Sequence, residues 1–377
     1  MVNSLWLYRF FDIAEEIDLA KVEEILSQTR TASRVRLTRF SCRSVQFRDP
    51  PVTVDLGGTR IRLKDGTTVL GSFSGKIYDL GVIGIALKVE LGDRSFEEIK
   101  RLGIVLTAEG ECLNDSGIVS VETPGQGSDE ASRTGDELED AFLNQKRSVC
   151  QLLGPALTKP SGQDFMEDYT LYFFTSWDES WDPAPLLLAE DEPLSQQSRN
   201  DTLRHSLSYG PEDLTIITWD AALVYDATGG SDIPDLLEFA VVELLELRYY
   251  DRLLDKEMEK MYKEIEAVGY GFGRLSKYRR LMKRLMELVL DITEVTERIH
   301  NSLKVTGDVF YARVYGTALT AFRTRAWMES VERKVALIQQ NYSLLSGEVI
   351  NQRSMMLEWA IVILISVEII LGLLRLL

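Results

Sequence analysis

Residues 214–234 read LTIITWDAALVYDATGGSDIP, and this stretch decides the predicted architecture. Residues 214–225 are rich in apolar and β-branched side chains, which predicts a strand. The two glycines that follow mark a boundary. Asp232 suits a helix N-cap, and Pro234 fits the first helical turn. The stretch therefore separates a mixed strand-and-helix part before it from an almost wholly helical part after it.

The part before the boundary combines strand and helix signals. Residues 5–13 are apolar and aromatic and predict a strand. The Asp65-Gly66 pair lies between two β-type runs, which indicates a hairpin. Residues 122–136 are polar and rich in Gly and Ser, which predicts a flexible loop. Because no regular βαβ units occur, we predict an α+β head domain over residues 1–226.

The part after the boundary is predicted to be a long antiparallel helical coiled-coil region over residues 232–350. Apolar residues recur there at spacings of three and four, which is typical of a heptad seam. Gly-rich residues 269–273 and residues 306–308 interrupt the pattern. Short breaks favour antiparallel neighbouring helices. The sequence thus predicts a helical stalk that oligomerises.

Residues 355–374, MMLEWAIVILISVEIILGLL, form the most apolar run of the chain. Twenty helical residues span about 30 Å, the thickness of the hydrocarbon core of a bilayer. The run predicts a single-pass transmembrane helix rather than a buried helix of a large core. No signal-peptide pattern precedes the head. We therefore expect a tail-anchored protein of the cell inner membrane with its head in the cytoplasm, or in the matrix if mitochondrial.

Three residues of this run are predicted to make membrane or helix contacts. Trp359 lies near its start, where an interfacial aromatic residue belongs. Glu358 is close enough to the expected interface to reach water. Glu368 falls deep in the run, where a charged carboxylate costs about 2.5–3.5 kcal/mol. Glu368 therefore predicts either a contact between helices of an oligomer or a tolerated, protonated or snorkelling side chain.

A dense basic run stands out in a chain of formal net charge −17. No acidic residue interrupts the sequence between Glu266 and Glu287. One interpretation is a solvated helix face that pairs with acids of the preceding helix. The others are attraction to anionic lipid and contact with an RNA backbone. The basic patch consists of Arg274, Lys277, Arg279, Arg280, Lys283 and Arg284.

The sequence contains no recognisable catalytic or metal-binding motif. Cys42, Cys112 and Cys150 are too far apart for a disulfide framework or a zinc site. His205 and His300 have no nucleophile or carboxylate beside them in a catalytic pattern. We therefore predict a protein that is not an enzyme and that uses no cofactor and no metal.

Several segments of the C-terminal half resemble one known family, namely the required-for-meiotic-nuclear-division proteins and their bacterial relatives, a domain of unknown function. The segments are residues 356–368 (MLEWAIVILISVE), 331–335 (VERKV), 341–345 (NYSLL), 308–311 (DVFY) and 204–208 (RHSLS). The resemblance implies a membrane-tethered oligomeric protein. Mitochondrial relatives are linked to support of organelle translation at the inner membrane. The family supplies no catalytic residue to carry over.

Two functions follow as hypotheses from these patterns. The first is a membrane-anchored, non-enzymatic scaffold or tether that forms a homo-oligomer through its stalk and binds an unknown protein partner beside the lipid bilayer. The alternative is a membrane-tethered factor that supports translation by contacting the ribosome or RNA through the basic patch. The two differ in whether reversing the basic charges abolishes RNA or ribosome binding.

Overall fold

The computed structural model describes residues 3–29, 32–34, 46–47, 50–63, 66–92, 94–107, 118–122, 137–266, 274–304 and 309–376. The strands are β1 Ser4–Ile17, β2 Ala32–Arg34, β3 Gln46–Phe47, β4 Val52–Leu63, β5 Thr68–Ile77, β6 Val82–Glu90, β7 Ile118–Glu122, β8 Leu157–Phe174, β9 Ser206–Leu207, β10 Asp213–Ile217, β11 Ala221–Asp226 and β12 Leu303–Lys304. The helices are α1 Leu19–Thr29, α2 Phe96–Thr107, α3 Glu137–Leu153, α4 Pro183–Leu187, α5 Gln196–Thr202, α6 Asp232–Glu266, α7 Arg274–Ser302, α8 Val309–Ala321 and α9 Thr324–Leu376.

A ten-stranded mixed sheet organises the N-terminal part. Its order is β2-β4-β5-β6-β1-β8-β11-β10-β9, and β7 pairs with β4. β1 and β8 lie at the centre, and β1 is buried along most of its length. That burial explains why its sequence is nearly continuously apolar rather than alternating. β11 runs parallel to β8, whereas the other pairings of the described strands are antiparallel.

The quoted stretch folds as a hairpin rather than as one strand. β10 and β11 pair antiparallel, with Ile217 opposite Ala222. The amide of Thr218 donates to the carbonyl oxygen of Ala221 at 2.8 Å, which closes a two-residue turn. Trp219 and the residue after it form that turn, so the apolar run is interrupted at its middle.

The chain divides into two compact units. The sheet unit comprises Met1–Tyr249 and Arg298–Arg325. The helical unit comprises Tyr250–Glu297 and Ala326–Leu377. The chain thus has an N-terminal mixed sheet followed by helices. The domain boundaries at residues 226, 232 and 350 stay predictions.

Within the sheet unit, a buried ionic cluster fixes the start of α6 on the sheet. Nζ of Lys76 lies 2.5 Å from Oδ1 of Asp235 and 2.7 Å from Oε2 of Glu238. The Tyr8 hydroxyl donates to Glu238 at 2.8 Å, and that of Tyr78 donates to it at 3.4 Å. Burial lowers the pKa of Lys76, but the two carboxylates outweigh it and hold that pKa above its usual value. Because the charges are paired and hydrogen-bonded, the sheet tolerates them.

Within the helical unit, ion pairs connect three helices. Nζ of Lys334 on α9 lies 2.8 Å from Asp251 and 2.6 Å from Asp255, both on α6. The Ser330 hydroxyl donates to Asp251 at 2.7 Å. Arg284 on α7 pairs with Glu257 on α6. The predicted breaks at residues 269–273 and 306–308, and residues 123–136 of the predicted loop, lie outside the described residues.

The predicted transmembrane helix over residues 355–374 is wrong. In the part of the chain that the structure describes, no helix is both long and apolar enough to cross a membrane. The run lies within α9 and contains Glu358 and Glu368. The single-pass, tail-anchored and inner-membrane predictions are corrected with it.

Candidate functional site

An open strand edge places a cavity inside the sheet unit. β1 pairs with β8 back to Phe165 and beyond, whereas β11 pairs with β8 from Thr170 onward. β8 therefore runs past the start of β11, and none of the described strands pairs with residues 165–169 on that side. A cavity of about 400 Å³ lies at this step. Its volume suits a small molecule. We call it the β8–β11 cavity.

The cavity is lined by β8 residues whose side chains belong to opposite faces of the sheet. Successive strand residues point to opposite faces of a sheet. Asp168, Thr170 and Tyr172 therefore share one face, and Glu167 and Tyr169 share the other. Residues from both sets line the cavity. This is geometrically possible because the cavity lies at the strand edge rather than on one face.

The β10–β11 turn supplies an aromatic and an acidic side chain. Trp219 is 69% exposed and lines the cavity together with Asp220. The Thr218 hydroxyl donates to Oδ1 of Asp220 at 2.9 Å and accepts from the amide of Ala221 at 3.0 Å. These bonds fix the turn, so Asp220 is held in place rather than free to swing into solvent.

Two arginines at the cavity already have carboxylate partners. Arg248 on α6 pairs with Glu167. Burial nevertheless raises the pKa of Glu167 to about 7, because desolvation outweighs the attraction of Arg248. Nε of Arg9 lies 3.1 Å from Glu139. Glu139 thus offsets the charge of Arg9, and Glu167 offsets that of Arg248 to the extent that Glu167 is ionised.

Asp168 and Asp220 lack such compensation. Among the described residues, neither carboxylate forms an ion pair. Arg9 lies opposite Asp168 across the β1–β8 pair but bonds to Glu139. Burial raises the pKa of Asp220, and the nearby charge of Asp168 adds to that rise. The cavity therefore concentrates negative charge that the surrounding protein does not neutralise.

The hydroxyl of Tyr172 is a further polar group at the cavity. The residue is 1% exposed and lines the cavity. No described residue forms a hydrogen bond with this hydroxyl. Burial, and then the charge of Asp220, raise the pKa of Tyr172, so the hydroxyl stays protonated and can donate. Its ring packs so closely on α2 that a Cβ at Gly103 would lie 2.4 Å from the hydroxyl oxygen.

The remaining walls are apolar, and the described residues provide no metal centre. Apolar side chains from α2, α4 and α6 line the cavity: Leu106, Leu186, Leu187, Val241 and Leu244. Within the described ranges, no group of three or more His, Cys, Asp or Glu residues could hold a metal ion. His205 ends a short 3-10 turn, Leu203–His205, and is half-buried. The side chain of His300 lies outside the described residues.

The predicted contact residues of the C-terminal run lie on α9. The side chains of Glu358, Trp359 and Glu368 are exposed, and Trp359 is 67% exposed. The hydroxyl of Ser366, beside Glu368, donates to the carbonyl oxygen of Val362 one turn earlier at 2.7 Å. The assignment of these three residues to helix contacts stays a prediction.

The basic patch is only partly available for a ligand. Arg279 and Arg280 are exposed. Lys283 lies 3.5 Å from Glu287, and Arg284 pairs with Glu257 on α6. The side chains of the first two members, Arg274 and Lys277, lie outside the described residues. Pairing with the preceding helix, one of the interpretations open from sequence, thus occurs at Arg284.

Sequence patterns did not identify the β8–β11 cavity. Glu167 and Asp168 immediately precede the apolar run YTLYFF, and Trp219 and Asp220 interrupt the run LTIITWDAALVY. Acidic residues at the edge of an apolar run were the available signal. That signal does not reveal that the two runs become parallel neighbours, so the four side chains meet only in the folded sheet.

Comparison with known proteins identifies relatives without a described activity. Residues 2–232 match the family model described as "Uncharacterized protein MJ0711, N-terminal domain". Over 230 residues the chain is 28% identical to "Uncharacterized protein MJ0711" of Methanocaldococcus jannaschii. That alignment covers 58% of this chain and 69% of the relative. No solved structure matches the chain.

Proposed function

The chain belongs to the family of the N-terminal domain of uncharacterized protein MJ0711, and we propose that it is a non-enzymatic assembly protein that associates with a second copy of itself through α9. The observation that carries this proposal is the exposed apolar surface of residues 357–371.

Eleven large apolar side chains of this segment are between 47% and 69% exposed. They are Leu357, Trp359, Ile361, Val362, Ile363, Leu364, Ile365, Val367, Ile369, Ile370 and Leu371. Burial of one such side chain is worth about 1.5–3 kcal/mol. Contiguous apolar surface of this kind marks an interaction site in proteins. The segment therefore gains strongly from contact with another apolar surface.

Helical geometry selects one face of the segment for that contact. Ile363, Val367 and Ile370 follow the four-three spacing of a coiled-coil seam. At about 100° per residue, both Glu358 and Glu368 lie about 140° away from Ile363, one on each side. A contact along this seam thus leaves both carboxylates in water.

A second copy of the chain fits this seam better than an unrelated partner. Each copy contributes the same apolar residues at the same spacing, so the two seams match. A two-fold interface needs a self-complementary surface, and an uncharged seam with its carboxylates turned away avoids like-charge contact. Dimers with two-fold symmetry are also the commonest soluble oligomers.

Light scattering of the full-length chain tests the proposal. We expect a molar mass of at least twice the 42.7 kDa of one copy. The double variant Ile363→Asn, Ile370→Asn should give one copy. The matched control is Ile361→Asn, Ile365→Asn, which places the same substitutions on the opposite face and should keep the mass of the wild type.

Two results would argue against this proposal. A wild-type chain of about 42.7 kDa at all concentrations would remove its basis. Equal dissociation of the seam variant and the control would show unspecific hydrophobic association instead. Loss of mass in the seam variant alone supports the proposed interface.

The resemblance to the meiotic-nuclear-division family supports the same role, and we propose kinship with that family for the C-terminal half. Its segments lie mainly after residue 232, beyond the matched region. The Leu357-Glu358-Trp359 motif is the most distinctive of them. A collection of relatives matched over 2–232 should retain this motif if the kinship is real, and should lack it if the likeness arose by chance.

Contact with RNA or the ribosome is a second candidate function. The observation in its favour is the exposed pair Arg279 and Arg280. Charge pairing of Lys283 and Arg284 with acids weakens it. The variant Arg279→Glu, Arg280→Glu should abolish salt-sensitive co-sedimentation with purified ribosomes, whereas Lys263→Glu on α6 should not. Equal co-sedimentation of both variants would exclude this patch.

A further inference from the structure

The β8–β11 cavity combines three features that the proposed assembly role does not explain. It is concave and has apolar walls from three helices. Asp168 and Asp220 face it without an ion-pair partner among the described residues. The Tyr172 hydroxyl, almost fully buried, faces it without a hydrogen-bond partner in the described part of the chain. Buried polar groups normally have partners, so the unpartnered hydroxyl of Tyr172 points to a bound molecule, and the two carboxylates indicate its charge.

The charge of the lining restricts the chemistry of that molecule. Glu139 offsets Arg9, and Glu167 offsets Arg248 only in part near neutral pH, because the pKa of Glu167 is about 7. The two remaining aspartates leave an excess of negative charge, which repels anions such as phosphates and carboxylates. A neutral ligand would leave both carboxylates without a counter-charge.

A metal ion does not suit the cavity. Divalent cations that prefer oxygen ligands take six or more donors, several of them carboxylates. Within the described residues no three His, Cys, Asp or Glu side chains are placed to hold one. The apolar wall formed by residues such as Leu106 and Leu187 gives a hydrated ion no partner.

We propose that the β8–β11 cavity binds a small organic amine, with its ammonium group between Asp168 and Asp220 and its apolar part against α2 and α4. Trp219 at the mouth offers an aromatic face to the cation. The Tyr172 hydroxyl donates a hydrogen bond to a polar atom of the ligand deeper in the cavity. The proposal is independent of the association of copies through α9.

Binding of named probes to the full-length chain tests this inference. The probes are butylamine, phenethylamine and putrescine, each compared with the alcohol that replaces ammonium by hydroxyl. Calorimetry gives the dissociation constants, and quenching of Trp219 fluorescence gives a second reading. We expect at least one amine to bind at least tenfold more tightly than its alcohol.

Single substitutions test whether the amine binds in the β8–β11 cavity. Asp220→Asn should weaken amine binding at least tenfold, because it removes one charge and keeps an oxygen near Thr218. Tyr172→Phe should weaken binding of a hydroxyl-bearing amine such as tyramine more than that of phenethylamine. Glu192→Gln, an exposed carboxylate in a loop, is the control and should change neither value.

The outcomes separate clearly. Amines that bind no better than their alcohols would overturn the proposal, as would unchanged amine binding by a folded Asp220→Asn variant. Quenching that persists in Trp219→Phe would move the site to another tryptophan and would also overturn it. None of these results bears on the mass of the oligomer, so failure here is distinct from failure of the assembly proposal.

Discussion

Nζ of Lys76 on β5 lies 2.7 Å from Oε2 of Glu238 on α6, and both side chains are almost fully withdrawn from water. Asp235, one turn earlier on α6, is the second partner of Lys76. One strand cation thus compensates two helix carboxylates. The first helix after the sheet is attached by charge as well as by apolar packing.

Lys76→Met should therefore destabilise the protein strongly. The substitution keeps an apolar stem of similar length but leaves Asp235 and Glu238 buried without their cation. Loss of one partner of a buried ion pair costs about 3–5 kcal/mol. Urea unfolding measures this loss. Lys263→Met removes an exposed partner of Glu259 and should leave the midpoint unchanged. Equal midpoints for the two variants would show that the cluster contributes little.

Gly103→Ala should destabilise the sheet unit by about 1–3 kcal/mol, the cost of overpacking. The new Cβ would lie 2.4 Å from the hydroxyl oxygen of Tyr172, which must move. Gly316→Ala is the matched control, because it lies in α8 with no atom within 4 Å of its Cβ. It should raise stability by about 0.5–1 kcal/mol. Thermal unfolding with the same sign for both variants would contradict the close packing at Gly103.

Glu167 predicts a stability that falls as the pH rises. Its pKa is about 7 in the folded protein, against an ordinary 4.5. The folded state therefore binds this proton more tightly than the unfolded state does. The resulting contribution of Glu167 to the free energy of unfolding is complete below about pH 4.5 and is lost as the pH rises through about 7. At about 1.4 kcal/mol per unit, the loss reaches up to about 3 kcal/mol.

The measurement compares the unfolding free energy of the wild type with that of Glu167→Gln between pH 4.5 and 8. The unfolding free energy of the wild type should decrease relative to that of Glu167→Gln as the pH rises. Glu192→Gln, an exposed control, should follow the wild type throughout. A difference that instead grows in favour of the wild type would mean that Arg248 dominates over burial at Glu167.

Local sequence patterns predicted some individual strands correctly but did not predict how the strands pair. The run 5–13 was predicted as a strand and lies within β1, because its apolar content reflects burial on both faces of the sheet. The run 214–225 was predicted as one strand and is a hairpin. Trp219 and Asp220 form the turn without glycine or asparagine, the residues that usually signal a two-residue hairpin.

The candidate site was beyond sequence reasoning for a topological reason. Asp168 and Asp220 are far apart in the chain and meet because β11 joins β8 in parallel. Parallel pairing across a long connection leaves no local signature. The membrane prediction was wrong because it rested on the number of apolar residues in the run 355–374. No described helix has both the length and the apolarity that a membrane span requires.

The seam of α9 can be tested directly by cysteine cross-linking. The chain would carry Val367→Cys, near the middle of the seam, with Cys42, Cys112 and Cys150 replaced by serine. Mild oxidation should give a disulfide-linked dimer, whether the two helices run parallel or antiparallel. Ile365→Cys, on the opposite face, should associate but give no disulfide-linked dimer in non-reducing denaturing electrophoresis. No cross-linking in either variant, or equal cross-linking in both, would contradict association of two copies through this seam.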